Sequence, residues 1–372
     1  MNSAKSRDPG VAGLRVALTA AALALAVSVC ASEGLAQAQE DSRPVRITLV
    51  GRVQVQWNTT SLNGEDQPSN EFEIRRARIT GLVRINRLIS GVVMPFFGQG
   101  EVGLADAYVR FSFDTRFGVL LGQFKRPFDL FVLESSNRSL VIERVGTIRG
   151  VNDCPGVEGV CSLPRLTENL QFANRDIGLK VEGFLGIGKV KYEASLTNGS
   201  GANTTDENNT KSYSARIEYG IGQRVRLGGF AGLHDFVNDV TGDRGDYAFA
   251  FGGDVEWGTY SPGFHLQAGV VLGNNWEVLD AEGNPATFFT VEAIGAYRVA
   301  TARRRRVSSI EPVLRVSFSD PADLDRTQGF LVTPGFIVNF QRLNRLAVNF
   351  DLWVPTEGPA EWSVKLQSYM VF

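Results

Sequence analysis

Beyond its first forty residues the chain has no run of about twenty apolar residues, so it cannot cross a membrane as a helix. It is also poor in the side chains that do chemistry, with 2 His, 3 Cys and 3 Met in 372 residues. His234 and His265 sit in no metal-ligand or nucleophile spacing. A Ser-His-acid site has too few histidines to draw on. No catalytic set, metal or cofactor is expected, and the chain is not read as an enzyme. Gly228-Gly229 and Asn198-Gly-Ser-Gly201 are turn and wall features rather than phosphate cradles, and no nucleic-acid partner is expected.

What is abundant points elsewhere. The 40 Gly and 24 Phe suit short strands, tight turns and aromatic girdles. With 43% hydrophobic and 21% charged residues the bulk composition looks soluble. A barrel hides from that test, because lipid-facing apolar residues alternate with lumen-facing polar ones.

The first segment reads as an export signal, residues 1–38. Lys5, Arg7 and Arg15 form its basic start, Val16 to Ala31 is apolar, and Ala36-Gln37-Ala38 offers a small-x-small cleavage site. That leaves residues 39–372 as the barrel, with Cys154 and Cys161 as its cysteines. In an oxidising compartment, two cysteines close together in a Gly- and Pro-containing stretch read as a disulfide.

From Val45 onward the dominant period is two. Val45, Ile47, Leu49, Val53, Val55 and Trp57 share one face, opposite Arg46, Thr48, Arg52, Gln54 and Gln56. The pattern recurs to give about sixteen strands, the last from Glu361 to Phe372. Connections after even-numbered strands are mostly terse, such as Asp114-Thr-Arg116 and Ser261-Pro-Gly263. Those after odd-numbered strands are mostly long and polar, such as Asn198–Ser212 and Asn274–Thr287. A single-chain outer-membrane barrel sorts its loops in this way. The expected fold is therefore all-β, a transmembrane antiparallel barrel of about 16 strands in a bacterial outer membrane.

One connection is out of proportion. Residues 126–171, after the fifth strand, show no sustained alternation. This third outer loop is expected to fold into the lumen as a constriction, stiffened by the Cys154–Cys161 pair. Basic residues gather on it and on the wall: Arg76 and Arg78 on one strand face, then Lys125, Arg126, Arg138, Arg144 and Arg149. Arg on the lipid face would cost about 2–4 kcal/mol at the midplane, so the wall arginines should point into water. Rings of Arg or Lys select anions. Asp129, Glu134 and Glu143 lie in the same loop and provide ion-pair partners. In the last strand Trp362, Val364, Leu366, Met370 and Phe372 share a face. The terminal aromatic Phe372 reads as the signal for the barrel assembly machinery. The acidic outer loops suit cation bridging to lipopolysaccharide.

These residues also carry a resemblance. Phe72-Glu-Ile-Arg-Arg-Ala-Arg-Ile79, Ala105-Asp-Ala-Tyr-Val109, Gly122-Gln-Phe-Lys-Arg-Pro-Phe128, Arg175-Asp-Ile-Gly178 and Asn198-Gly-Ser-Gly201 follow one another as in the phosphate-selective porin O/P family. The likeness is specific mainly between Phe72 and Gly201. It implies a 16-stranded, usually trimeric barrel that passes anions through a constriction lined by Lys and Arg. The expected function is passive diffusion of small hydrophilic solutes, anion-preferring, with phosphate as the candidate. The alternative is a structural or surface-binding barrel with a plugged lumen. This chain departs from the family in being Lys-poor and Arg-rich and in carrying Cys154 and Cys161.

Overall fold

The computed structural model describes residues 45–61, 68–98, 101–142, 162–186, 188–206, 208–258, 262–301, 306–322, 328–341 and 344–372. The 1–38 segment, Arg144, Arg149, Cys154 and Cys161 lie outside the described residues. The compact unit Arg46–Phe372 is a closed antiparallel barrel in which every strand pairs with its sequence neighbours and the last pairs with the first. The strands are β1 (Arg46–Ser61), β2 (Ser69–Arg84), β3 (Ile89–Gly98), β4 (Glu101–Ser112), β5 (Gly118–Lys125), β6 (Arg175–Leu185), β7 (Val190–Thr197) and β8 (Ser212–Ile221). They continue as β9 (Val225–Phe236), β10 (Asp246–Trp257), β11 (Gly263–Leu279), β12 (Pro285–Ala300), β13 (Ser309–Asp320), β14 (Gly329–Asn339), β15 (Arg345–Pro355) and β16 (Glu361–Val371). The sixteen strands expected from period two are all present. Closure removes every free sheet edge, which hydrocarbon would not tolerate.

Alternation sorts the two faces. On β10, Tyr247, Phe249, Phe251 and Trp257 face outward and stay exposed, while Ala248, Ala250, Asp254 and Glu256 face inward and are buried. Aromatic pairs such as Phe318–Phe330, at 4.9 Å, and Trp257–Phe264, at 5.5 Å, lie on this outward surface at the two ends of the strands. Such an apolar band with aromatic ends fits a bilayer.

One expected loop is instead strand. Asn274–Thr287 reads as an outer loop, yet β11 and β12 stay paired through Asn274↔Thr287 and Asn275↔Ala286, and Leu279 still meets Pro285. The physical reason is packing. Trp276 and Leu279 lie against the interior apolar cluster, and the Trp276 indole donates to the Leu170 carbonyl at 3.0 Å. The turn shrinks to a few residues, with Asp280 accepting from the Asn284 amide at 2.8 Å and Gly283 taking φ 83°.

Among the described residues the long connection between β5 and β6 carries two short helices, α1 (Leu130–Leu133) and α2 (Leu163–Asn169). Pro164 suits the first turn of α2, where its missing amide hydrogen is not needed. Phe128, Leu163, Leu166, Leu170 and Phe172 are fully buried against inward residues of the wall, among them Phe230, Phe288, Val313, Leu331 and Trp353. Each such side chain stabilises the packed loop by about 1.5–3 kcal/mol. The connection therefore rests on the inner face of the later strands, from β9 to β16.

The seam of the barrel is closed by Phe372. Its amide donates to the Gly51 carbonyl at 3.0 Å, and the Gly51 amide donates to the Phe372 carbonyl at 2.7 Å. The Phe372 ring lies where a Cβ on residue 51 would stand, so a larger residue there would have to push the ring aside. The ring itself remains 65% exposed on the outer face. Deleting Phe372 is expected to cut the yield of heat-resistant folded barrel by about tenfold, through two lost ladder bonds and the lost ring. Selectivity of the pores that do insert should stay the same. Densitometry of folded and unfolded bands, beside reversal potentials, checks both halves, and an altered selectivity would sink the division of labour.

Candidate functional site: a basic cavity inside the wall

The early strands bound a different space. A cavity of about 320 Å³ is lined by Arg52 of β1, Arg78 of β2, Met94 of β3, and Asp106, Tyr108 and Arg110 of β4. Leu120, Phe124 and Lys125 of β5, Arg175, Lys180 and Glu182 of β6, and Leu133, Ser135 and Ser136 of the long connection complete it. Among the described residues six cations thus face two acids.

Irregular register helps to load this face. Between Gln54 and Val55 the β1–β2 pairing shifts, so Gln54 meets Arg76, Val55 meets Ile74, and the register passes over Arg75. Such a bulge lets two successive residues point the same way. Arg75 and Arg76 are accordingly both buried, while Phe72 and Ile74 on one side and Ile79 on the other stay exposed. A second shift at Met94/Pro95 acts likewise on β4, where the register passes over Ala105 before Asp106.

Register also sets cation against cation. Arg52 stands directly opposite Arg78, and Lys125 directly opposite Arg175. Like charges facing each other across strands are destabilising by several tenths of a kcal/mol, up to about 1. Hydrogen bonds hold these groups in place. Arg52 donates to Asn137 Oδ1 at 3.0 Å, and Arg175 Nε to Asp106 Oδ1 at 2.8 Å. The Arg78 guanidinium lies 5.6 Å from the Phe96 ring centre, a cation–π contact. Lys125 Nζ donates to the carbonyls of Val132, Leu133 and Glu134 at 2.5–3.2 Å, tying down the end of α1. Lys180 bridges Glu182 at 3.2 Å and Glu193 at 2.9 Å, and Arg110 pairs with Glu182.

The residues singled out in the sequence separate in space. Arg78 and Lys125 line the cavity. Arg76 is buried beside it and donates to Gln54 Oε1 at 3.2 Å. Arg126 is 0% exposed and donates to the carbonyls of Gln171, Tyr213 and Leu233, so it serves as a strut between the connection and the wall. Burial lowers the Arg126 pKa to about 10 against the pull of Asp176 and Asp235, which leaves it charged at neutral pH. Arg138 is exposed on the connection and is not a lining residue. Arg52, Arg110, Arg175 and Lys180 join the site without having been singled out. Their signal is the plain inward phase of β1, β4 and β6, except that Arg175 sits at a strand start.

The connection is fastened by polar groups as well as apolar ones. Asp129 caps α1, accepting from the Val132 amide at 2.8 Å and from the Thr167 hydroxyl at 2.8 Å. Burial pushes its carboxyl up to about 6, with Asp254 and Glu168 adding to the rise. Arg345 donates to the carbonyls of Ser139 and Ser136 at 2.7 and 3.1 Å, and the Ile142 amide donates to Asn349 Oδ1 at 2.6 Å. Among the described residues no group of three or more His, Cys, Asp or Glu gathers as for a metal ion.

Solved structures show the same architecture. The outer membrane channel DcaP of Acinetobacter baumannii aligns with a TM-score of 0.61 at 12% identity, over 89% of this chain and 99% of that one. An anion-selective porin from Comamonas acidovorans aligns with a TM-score of 0.61 at 9% identity, over 88% and 100%. OmpT of Vibrio cholerae, in its trimer form, aligns with a TM-score of 0.53 at 11% identity, over 88% and 100%. At these identities the likeness is one of fold. No curated protein matches the chain by sequence. The family model for phosphate-selective porin O and P matches residues 47–251, more than half of the chain and the whole basic wall. A closed barrel of sixteen strands with that match is a porin of the bacterial outer membrane, and the chain belongs to the phosphate-selective porin O and P family.

Proposed function

We propose that this porin passes small hydrophilic solutes by passive diffusion with a preference for anions, inorganic phosphate being the candidate that the family's name supplies. The observation that carries the preference is the pair of cation–cation rungs, Arg52↔Arg78 and Lys125↔Arg175, set in a lining of six cations and two acids. An anion between such groups relieves their repulsion, and arginine stays charged at any relevant pH. Selection then follows from lumen charge, with sites weak enough to release the ion. The shared fold of the Comamonas acidovorans porin, which is anion-selective, supports the same reading. A channel, rather than an enzyme, is what the family and the cavity favour.

The remaining parts of the reading are proposals of the same kind. Residues 126–171 form the constriction, Cys154 and Cys161 pair within it, and residues 1–38 are removed on export. Phe372 addresses the chain to the assembly machinery, acidic outer loops meet lipopolysaccharide through bridging cations, and three copies associate, as the trimer form of OmpT does. Reversal potentials in planar bilayers under a KCl gradient test the central claim. Chloride is expected to permeate several-fold better than potassium, and added phosphate should depress the chloride current. A cation preference, or no conductance from folded protein, would overturn it.

A further inference from the structure

Strand β3 departs from the rule that a barrel turns apolar residues to lipid and polar ones to water. Its outward series, Ile89, Val93 and Phe97, is apolar as expected, but past Ser90 so is its inward series, Val92, Met94 and Phe96. Register fixes the direction: Phe96 stands opposite Arg78 and Met94 opposite Asp106, both lining residues of the basic cavity. None of the three belongs to the apolar cluster beneath the long connection, and all remain half-buried. Met94 in the cavity lining and Phe96 beside it, under the Arg78 guanidinium, give the passage an apolar contact for something that binds there. The neighbours of this contact are the guanidiniums of Arg52 and Arg78.

We propose that the passage also binds and passes small organic anions with an apolar body, of which aromatic carboxylates fit best. The carboxylate takes the Arg52 and Arg78 forks, which match its two oxygens. The ring then lies on Met94 and Phe96, a sulfur–aromatic and a ring–ring contact. Phosphate and acetate engage the same cations and gain nothing from β3. The proposal rests on the anion-preferring reading above, and its test keeps the two apart.

Single channels are first placed in a KCl gradient, where a cation preference would overturn the underlying reading before any organic anion is added. Benzoate and acetate are then titrated against the chloride current of the same channel. They share one carboxylate and differ by the ring. Benzoate is expected to halve the current at a concentration about fivefold lower than acetate does. In Met94→Ser and, separately, Phe96→Ser channels that margin should fall below about twofold. Comparing two anions within one channel cancels differences in insertion, and two positions guard against one variant failing to assemble. Equal potency of benzoate and acetate in the unsubstituted protein overturns the proposal. So does a margin that survives both substitutions.

Discussion

Replacing Arg52 and Arg78 together by Glu is expected to lower the chloride-over-potassium permeability ratio by at least about tenfold. The two side chains face one another across β1 and β2 and share the cavity with Lys125 and Arg175. The double change turns six lining cations against two acids into four against four. Each unit of charge at ~7 Å acts on a passing ion with about 0.6 kcal/mol even at the dielectric constant of water. Four units give roughly 2 kcal/mol, and about 1.4 kcal/mol is already a factor of ten. Salt shortens the reach of these charges, so the effect should shrink between 0.1 M and 1 M KCl. Arg138→Glu is the informative contrast: Arg138 is exposed on the connection and is not among the lining residues, and its reversal should move the ratio less than the double change does. Reversal potentials in a KCl gradient decide both. A double variant that keeps its ratio within twofold would mean that ions take another path.

The contrast between Arg78 and Arg126 shows what the sequence can and cannot say. Period two is a property of the backbone, so inward and outward residues, the strand count and the sorting of turns are written along the chain. Arg78 could be placed on the wet face for that reason alone. It fails where a bulge resets the phase: at Arg75-Arg76 a strict alternation sends one arginine to lipid, whereas the shifted register turns both inward. Arg126 sits just past the end of β5, where no period applies, and its role depends on carbonyls 45, 87 and 107 residues away. Arg75 and the cross-strand rungs need register, which comes from pairing between strands and cannot be read from one strand. The apolar inward face of β3 was not legible, since Val92 to Phe97 is one continuous apolar run. An apolar outward face beside it simply drew no contrast.

Breaking the buried pair between Arg216 and Asp254 should free the long connection from the wall. Arg216 of β8 points inward, 2% exposed, and donates to both oxygens of Asp254 at 2.7 and 2.8 Å. The same guanidinium donates to the Phe128 carbonyl at 2.8 Å, and Asp254 accepts from the Leu130 amide at 2.9 Å. The pair thus holds both ends of the short segment that leads into α1. Arg216→Met keeps an apolar body over the Phe230 ring, which Arg216 overlies at 5.6 Å, but leaves the Asp254 carboxylate buried and uncompensated. Removing one partner of such a pair costs about 3–5 kcal/mol. The β8–β9 and β9–β10 ladders do not depend on it. The loss therefore falls on the connection, which is expected to become susceptible to protease between residues 126 and 142 in a barrel that still resists heat. If that connection is the constriction, open-channel conductance should rise about twofold or more. Arg216→Met with Asp254→Leu relieves the uncompensated charge but also removes both hydrogen bonds to Phe128 and Leu130, so it should recover the charge penalty and only part of the protection. Limited proteolysis and single-channel conductance on the same preparations separate the possibilities. Unchanged protease resistance in the single variant would refute the anchoring role. Lost resistance with unchanged conductance would keep the anchor and remove residues 126–142 from the constriction.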